Sequence, residues 1–181
     1  MKTILDNLNR PIHVIDNAFS QAFHEYLYDF VSNSFFKIGG QDGPAPLDTR
    51  SHLYLTSEYS MDDVKRLGIL DELNKLESWK PYKDLELART SVNLSVPSDQ
   101  NYFHTHKDQI ALIYYVNIRW QPEWAGSTHF YNEDLSEIIY ASVYKPRRLI
   151  IFDGEIPHSI TVQSTSAPHY RFSLAMFFNK K

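Results

Sequence analysis

The apolar residues in the first half of the chain recur at helical spacing in two segments. In IDNAFSQAFHEYLYDFVSNSFF, residues 15–36, they follow one helical face, and Asn17 or Ser20 can serve as the N-cap. In SMDDVKRLGILDELNKLESW, residues 60–79, Ser60 and Asp63 have capping-box spacing and a leucine-rich face follows. The pattern predicts two amphipathic helices that pack on a flat surface.

From Leu85 onward the pattern changes to short apolar runs separated by polar, proline- or glycine-containing breaks. No helical pattern lies between these runs, which are LARTSVNLSV, IALIYYVNI, STHFYN, EIIYASVY, RRLIIFDG, HSITVQS and YRFSLAMFF. Helices followed by an uninterrupted series of strands fit an antiparallel sandwich or jelly roll. We predict a mostly β protein with N-terminal helices and a single domain over 1–181, in which 1–84 supplies helical support and a flexible loop and 85–178 the jelly-roll core.

The predicted loop lies between the two helices, in GGQDGPAPLDTR. Residues 39–46 contain half of the chain's six glycines and two of its nine prolines. Such a composition is typical of a flexible surface loop, and loops of this kind often serve as lids.

Composition and charge reduce the number of possible function classes. A chain of 181 residues with 43% hydrophobic content suits one packed domain, and a net charge of −4 gives no electrostatic footprint for nucleic acid. The chain has no cysteine, so a metal would have to be held by histidine and carboxylate. No apolar run has the length of a membrane span, and we expect a cytoplasmic protein with no membrane partner.

Potential metal ligands are concentrated in HTHKD, where His104, His106 and Asp108 occupy every second position. In an extended chain these side chains point the same way. His158 follows the apolar run LIIF and the turn at Asp153-Gly154, and so adds a ligand candidate from a distant strand. Two ligands from one strand and a third from another match the two-histidine, one-carboxylate type of metal site.

A second candidate group lies in YRFSLAMFF, where Arg171 and Ser173 share a strand face. A guanidinium among apolar neighbours needs a partner, and its fork matches a carboxylate. Singly, His158 is typical of a core histidine and Arg171 of an ordinary ion pair. Their combined order along the chain favours a functional site.

Residues 85–178 resemble the 2-oxoglutarate and iron(II)-dependent oxygenases, specifically the prolyl-hydroxylase-like branch. The matching stretches are HKD, IYYVNIRW, AGSTHFYN, RRLIIFDGEIPHS and RFSLAMFF. The resemblance implies a double-stranded β-helix, with His106, Asp108 and His158 as catalytic iron ligands. It also implies that Arg171, Tyr115 and Ser173 bind the distal carboxylate of 2-oxoglutarate, beside a Gly-x-Thr turn at Gly126 and Thr128. The chain departs from the family in having Ala125-Gly126 where two glycines are usual, and in a longer interval between His158 and Arg171.

The ligand set has an alternative. Lys107-Asp108-Gln109 is also an obvious polar turn before the strand that begins near Ile110. In that register Asp108 lies beyond the end of the extended segment, and His104 joins His106 and His158 in a three-histidine site.

The resemblance implies hydroxylation of an unactivated C–H bond with Fe(II), 2-oxoglutarate and O2, ascorbate as a possible reductant, and succinate and CO2 as co-products. A prolyl residue in a protein or peptide is the expected substrate, with a small molecule as the alternative. Two other functions remain open: a cupin-like metalloprotein that does not use 2-oxoglutarate, which the HTH sequence favours, and a jelly-roll binding module without catalysis.

Overall fold

The computed structural model describes residues 1–42, 52–99, 101–167 and 170–181. These residues form eleven strands, three α-helices and two short 3-10 helices. The strands are β1 (Lys2–Leu5), β2 (Pro11–Ile15), β3 (Lys37–Asp42), β4 (His52–Tyr59), β5 (Glu86–Ser95), β6 (Gln109–Tyr115), β7 (Thr128–Tyr131), β8 (Ile138–Ser142), β9 (Leu149–Asp153), β10 (His158–Ile160) and β11 (Arg171–Asn179). The α-helices are α1 (Gln21–Ser32), α2 (Met61–Leu67) and α3 (Ile69–Asn74), and the 3-10 helices span Glu77–Tyr82 and Pro122–Trp124.

Two antiparallel sheets enclose an interior. The major sheet has eight strands in the order β1-β2-β9-β6-β11-β5-β4-β3, and the minor sheet has three in the order β10-β7-β8. Phe130 of the minor sheet packs edge-to-face on Phe152 of the major sheet, with ring centroids 4.9 Å apart. One apolar cluster therefore joins the two sheets.

The central strand β11 separates this interior from a second core. Side chains alternate along a strand, so Phe172, Leu174, Met176 and Phe178 join the cluster that contains α1, α2 and α3. On the other face, Arg171, Ser173, Ala175 and Phe177 point between the sheets. The helices thus cover the outer face of the major sheet, and the inner face is available for a site.

The structure confirms the mostly β fold with N-terminal helices, and each of the seven apolar runs after Leu85 contains a strand. The predicted helix over 60–79 is divided, because Gly68 adopts a left-handed conformation with φ 70° that ends α2 and precedes α3. The predicted capping box is present, since Ser60 accepts the amide N–H of Asp63 and Asp63 accepts that of Ser60.

Four strands of the first half were not predicted. β1 and β2 extend the major sheet beside β9, and β3 and β4 extend it beside β5. Residues 1–84 therefore contribute half of the strands of the major sheet as well as its helices.

The expected loop over 39–46 begins later than predicted, because β3 continues to Asp42. Its remainder, residues 43–46, lies outside the described residues. Among the helices that are described, none combines the length and apolar character needed to cross a membrane.

Candidate active site

Three histidines converge at one end of the interior. His104 and His158 form an antiparallel backbone pair, in which each amide nitrogen lies 3.0 or 3.1 Å from the carbonyl oxygen of the other residue. His106 follows two residues later and donates its amide N–H to the carbonyl of Gly154 at 2.7 Å. The potential ligand atoms of the three side chains all lie within 4.8 Å of one another. Two separate segments thus bring three imidazoles to one point.

Asp108 is not part of this group. It lies in the turn before β6 with a positive φ of 56°, its side chain is exposed, and its carbonyl accepts the N–H of Lys180 at 2.9 Å. The left-handed turn ends the extended conformation that aligns His104 with His106, so the alternation does not reach Asp108. The structure therefore departs from the expected set of His106, Asp108 and His158 and brings together the alternative set with His104.

Gly154 allows the histidine segment to approach the end of β9. A Cβ at this position would lie 2.5 Å from the carbonyl oxygen of His106 and 2.9 Å from its Cβ. Real side chains do not tolerate such distances from backbone. The Asp153-Gly154 turn was predicted from sequence, but its role in positioning His106 was not.

The protonation of these histidines suits metal binding. Burial, followed by the nearby His104 and Arg89, lowers the pKa of His106 to about 3. Burial, with His104 and His106 nearby, also holds the pKa of His158 well below its usual value. Both imidazoles are therefore neutral at pH 7, which is the state that coordinates metal.

Backbone carbonyls fix the orientation of two of the rings. Nδ1 of His158 lies 2.9 Å from the carbonyl oxygen of Ile156, and Nδ1 of His104 lies 3.2 Å from that of Tyr102. An imidazole nitrogen that faces a carbonyl carries the proton, which leaves Nε2 as the ligand atom. This pattern is the one that metal-binding histidines usually show.

Arg171 lies deeper in the interior and is completely buried. Its Nε–H donates to the carbonyl of Gly126 at 2.9 Å, and Nη1 donates to the hydroxyl of Ser173 at 3.2 Å. Its Nη2 is buried without a hydrogen-bond partner, and no carboxylate of the described residues pairs with the guanidinium. A buried cation with an unused donor is costly unless an anion completes it, so this position is suited to an anionic ligand.

Aromatic rings and hydroxyls surround this guanidinium. Tyr144 and Tyr115 lie 4.9 and 5.4 Å from it, measured to their ring centroids, and the two rings stack on each other. The hydroxyl of Tyr115 donates to Thr128 at 2.9 Å. Gly126 has φ 74°, and a Cβ there would lie 3.0 Å from Cδ of Arg171. The predicted Arg171, Tyr115, Ser173, Gly126 and Thr128 are therefore together.

Tyr144 is the residue of this group that sequence reasoning missed. Its hydroxyl oxygen lies 2.6 Å from both the carbonyl of Phe172 and the side-chain oxygen of Asn117. These contacts hold the start of β11, where Arg171 lies. ASVY carries no distinguishing motif, so only the fold identifies this tyrosine.

One cavity extends from the histidines to the hydroxyl partner of the arginine. It is lined by the three histidines, by Ser173, the hydroxyl partner of Arg171, and by Phe177 and Arg89. A small ligand in this cavity could contact the imidazoles and the hydroxyl of Ser173, to which the guanidinium of Arg171 donates.

No model of a known protein family matches the chain, and curated proteins likewise give no match. Solved structures do match in fold. A prolyl-4-hydroxylase from Pseudomonas putida has a TM-score of 0.66 at 15% identity, over 94% of this chain and 92% of the other. A prolyl hydroxylase from Trichoplax adhaerens, in complex with a hypoxia inducible factor peptide, has a TM-score of 0.66 at 12% identity, over 93% and 83%.

A third similar structure is HygX from Streptomyces hygroscopicus with nickel, 2-oxoglutarate and hygromycin B bound. Its TM-score is 0.66 at 11% identity, over 94% of this chain and 82% of the other. These similarities confirm the double-stranded β-helix fold that the sequence predicted.

Proposed function

We propose that the chain is a 2-oxoglutarate- and Fe(II)-dependent dioxygenase that hydroxylates an unactivated C–H bond. The observation that carries the proposal is the combination of three convergent histidines with the buried, incompletely paired guanidinium of Arg171, whose hydroxyl partner Ser173 lines the same cavity as the histidines. A metal ion accounts for the convergence of the three histidines but not for the buried charge of Arg171, which an anionic cosubstrate would neutralise. The double-stranded β-helix fold is compatible with both a metal site and a cosubstrate site.

The proposed iron ligands are His104, His106 and His158. Imidazole suits Fe(II), and the neutral state of His106 and His158 requires no proton loss on binding. The two segments that carry the ligands are tied by backbone hydrogen bonds, so the set is organised before the metal binds. Asp108 remains the alternative third ligand only if its turn rearranges.

The proposed cosubstrate site is formed by Arg171, Ser173 and Tyr115. The free Nη2 of Arg171 can donate to the distal carboxylate of 2-oxoglutarate, and the hydroxyls of Ser173 and Tyr115 lie on the same inner face. Charge-assisted hydrogen bonds in a buried site are short and strong. Tyr144 positions the guanidinium by stacking and by holding the start of β11.

When bound, iron with 2-oxoglutarate and O2 supplies the oxidising power for hydroxylation, with succinate and CO2 as co-products. The protein's contribution is binding, orientation and exclusion of water. Phe130, Phe152 and Phe177 pack around the histidine rings and form apolar walls. Imidazole ligands bring no negative charge to a metal, so the cosubstrate and substrate would balance its positive charge.

We propose a prolyl residue of a protein or peptide as the substrate. Two of the similar structures are prolyl hydroxylases, one of them in complex with a peptide, whereas HygX binds hygromycin B. A small-molecule substrate is therefore the second candidate.

The test is to incubate the purified protein with Fe(II), ascorbate and 2-oxoglutarate and to measure succinate. An oxygenase should form succinate slowly without substrate, and Arg171→Met should greatly reduce this reaction at limiting 2-oxoglutarate. Metal binding without succinate would favour a cupin-like protein, and neither property would favour a binding module.

A further inference from the structure

Arg89 on β5 places a cation at the mouth of the cavity. Its guanidinium carbon lies 4.5 Å from the ring centroid of Phe177, and the ring of His106 lies 4.3 Å from the same centroid. The same aromatic ring therefore contacts both this arginine and the proposed metal ligand. The side chain is exposed and lines the cavity, so a ligand can reach it.

The contact of this arginine with Phe177 is not accompanied by an ion pair among the described residues. Arg10, Arg66 and Arg148 each form an ion pair with an aspartate, whereas Arg89 has none among the described carboxylates. Its contact with Phe177 orients the guanidinium but leaves its N–H donors available.

The described residues that line the cavity carry no negative charge. They include the asparagines Asn93 and Asn101 but no aspartate or glutamate. The whole chain carries a net charge of −4, so this positive mouth is a local feature that differs from the rest of the molecule. A bound divalent metal would add to its positive potential.

We infer that the substrate is an acidic prolyl peptide, in which a carboxylate next to the reacting residue binds Arg89. The inference rests on the proposed function. The distal carboxylate of 2-oxoglutarate is already assigned to Arg171 at the start of β11, whereas Arg89 pairs with Phe177 near the end of that strand, so Arg89 is available for a second anion. Its fork can hold a carboxylate in bidentate fashion while the neighbouring residue faces the histidines.

The test uses three N-acetylated, C-amidated peptides with a central proline that differ only in its flanking residues, which are glutamate, glutamine or lysine. Binding of fluorophore-labelled peptides to the metal-free protein is measured by fluorescence anisotropy, and succinate formation above the peptide-free rate is measured with Fe(II) and 2-oxoglutarate. The variants are Arg89→Gln and Arg89→Glu. Arg66→Gln is the matched control, because Arg66 is an exposed arginine placed over Phe30 on the helical side of the major sheet.

The glutamate peptide should bind the wild-type protein about tenfold more tightly than the lysine peptide, and Arg89→Gln should abolish this difference. Arg89→Glu should reverse the preference, and Arg66→Gln should keep it. Equal binding of the three peptides, binding of none, or an unchanged preference in Arg89→Gln would overturn the inference. A loss of 2-oxoglutarate affinity in Arg89→Gln would also overturn it, because Arg89 would then serve the cosubstrate. Failure of the proposed function is separately visible as the absence of peptide-free succinate formation in the wild type.

Discussion

Replacing Arg171 by methionine should separate cosubstrate binding from metal binding. The substitution removes the buried guanidinium and both of its hydrogen bonds, to Gly126 and to Ser173, and keeps an unbranched apolar side chain. The three histidines belong to other strands and loops, so their positions should not change.

The loss of affinity can be estimated from the chemistry of the site. Truncating one partner of a buried, hydrogen-bonded charge pair costs roughly 2 to 5 kcal/mol. Only one nitrogen of Arg171 is unused in the structure, which favours the lower part of this range. We expect 2-oxoglutarate to bind at least about thirtyfold more weakly, since each 1.4 kcal/mol is a factor of ten.

The assay is calorimetric titration of 2-oxoglutarate into zinc-loaded protein, because zinc has no redox chemistry. Metal content is measured in the same samples, and thermal melting shows whether the variant is folded. Arg171→Lys keeps the charge but not the fork and should give an intermediate affinity. Unchanged 2-oxoglutarate affinity in Arg171→Met, or an equal loss of metal and cosubstrate from a folded variant, would refute the assignment.

Three further changes test other parts of the structure. Burial lowers the pKa of His24 to about 4, so its contribution to the stability of the metal-free protein is complete above pH 6.5 and is lost as the pH falls toward 4. The free energy of unfolding measured in urea should decrease by about 3 kcal/mol over this range because of this group. His24→Gln should show a correspondingly flatter pH dependence. Gly154→Ala should weaken metal retention measured by elemental analysis, because the methyl group would collide with His106; retention equal to wild type would refute this role. Gly68→Ala should lower the free energy of unfolding by about 1 kcal/mol, because its φ of 70° is strained for alanine although there is space for the methyl group. Gly68→Asn should lower the free energy of unfolding by less, because asparagine tolerates this conformation better.

The strands that sequence predicted best are those with a continuous apolar signal. β9 has four buried residues in succession, and β11 has eight, because both faces of these strands are covered. The missed strand β1 has the opposite character, since three of its four residues are exposed. β2 begins with a proline and is only five residues long, and its pairing with β9 depends on residues far away in the chain. Local patterns do not contain that information.

The candidate site likewise contains residues that local sequence patterns predict and residues that they do not. The alternation of side chains along a strand predicted the shared face of Arg171 and Ser173, and the resemblance to the oxygenases added Tyr115. The resemblance favoured Asp108 over His104, and in the structure His104 lies with the other two histidines instead, because a single turn residue adopts a left-handed conformation. Aspartate tolerates this conformation better than most residues, but its presence does not require it.

The most direct test of the proposed three-histidine centre compares the iron content and succinate formation of His104→Ala and Asp108→Gly. Glycine is the suitable replacement at Asp108, because it removes the carboxylate while accepting the φ of 56°. His104→Ala should lose both iron and 2-oxoglutarate turnover, and Asp108→Gly should retain both. An active, iron-containing His104→Ala beside an inactive, iron-free Asp108→Gly would contradict the account.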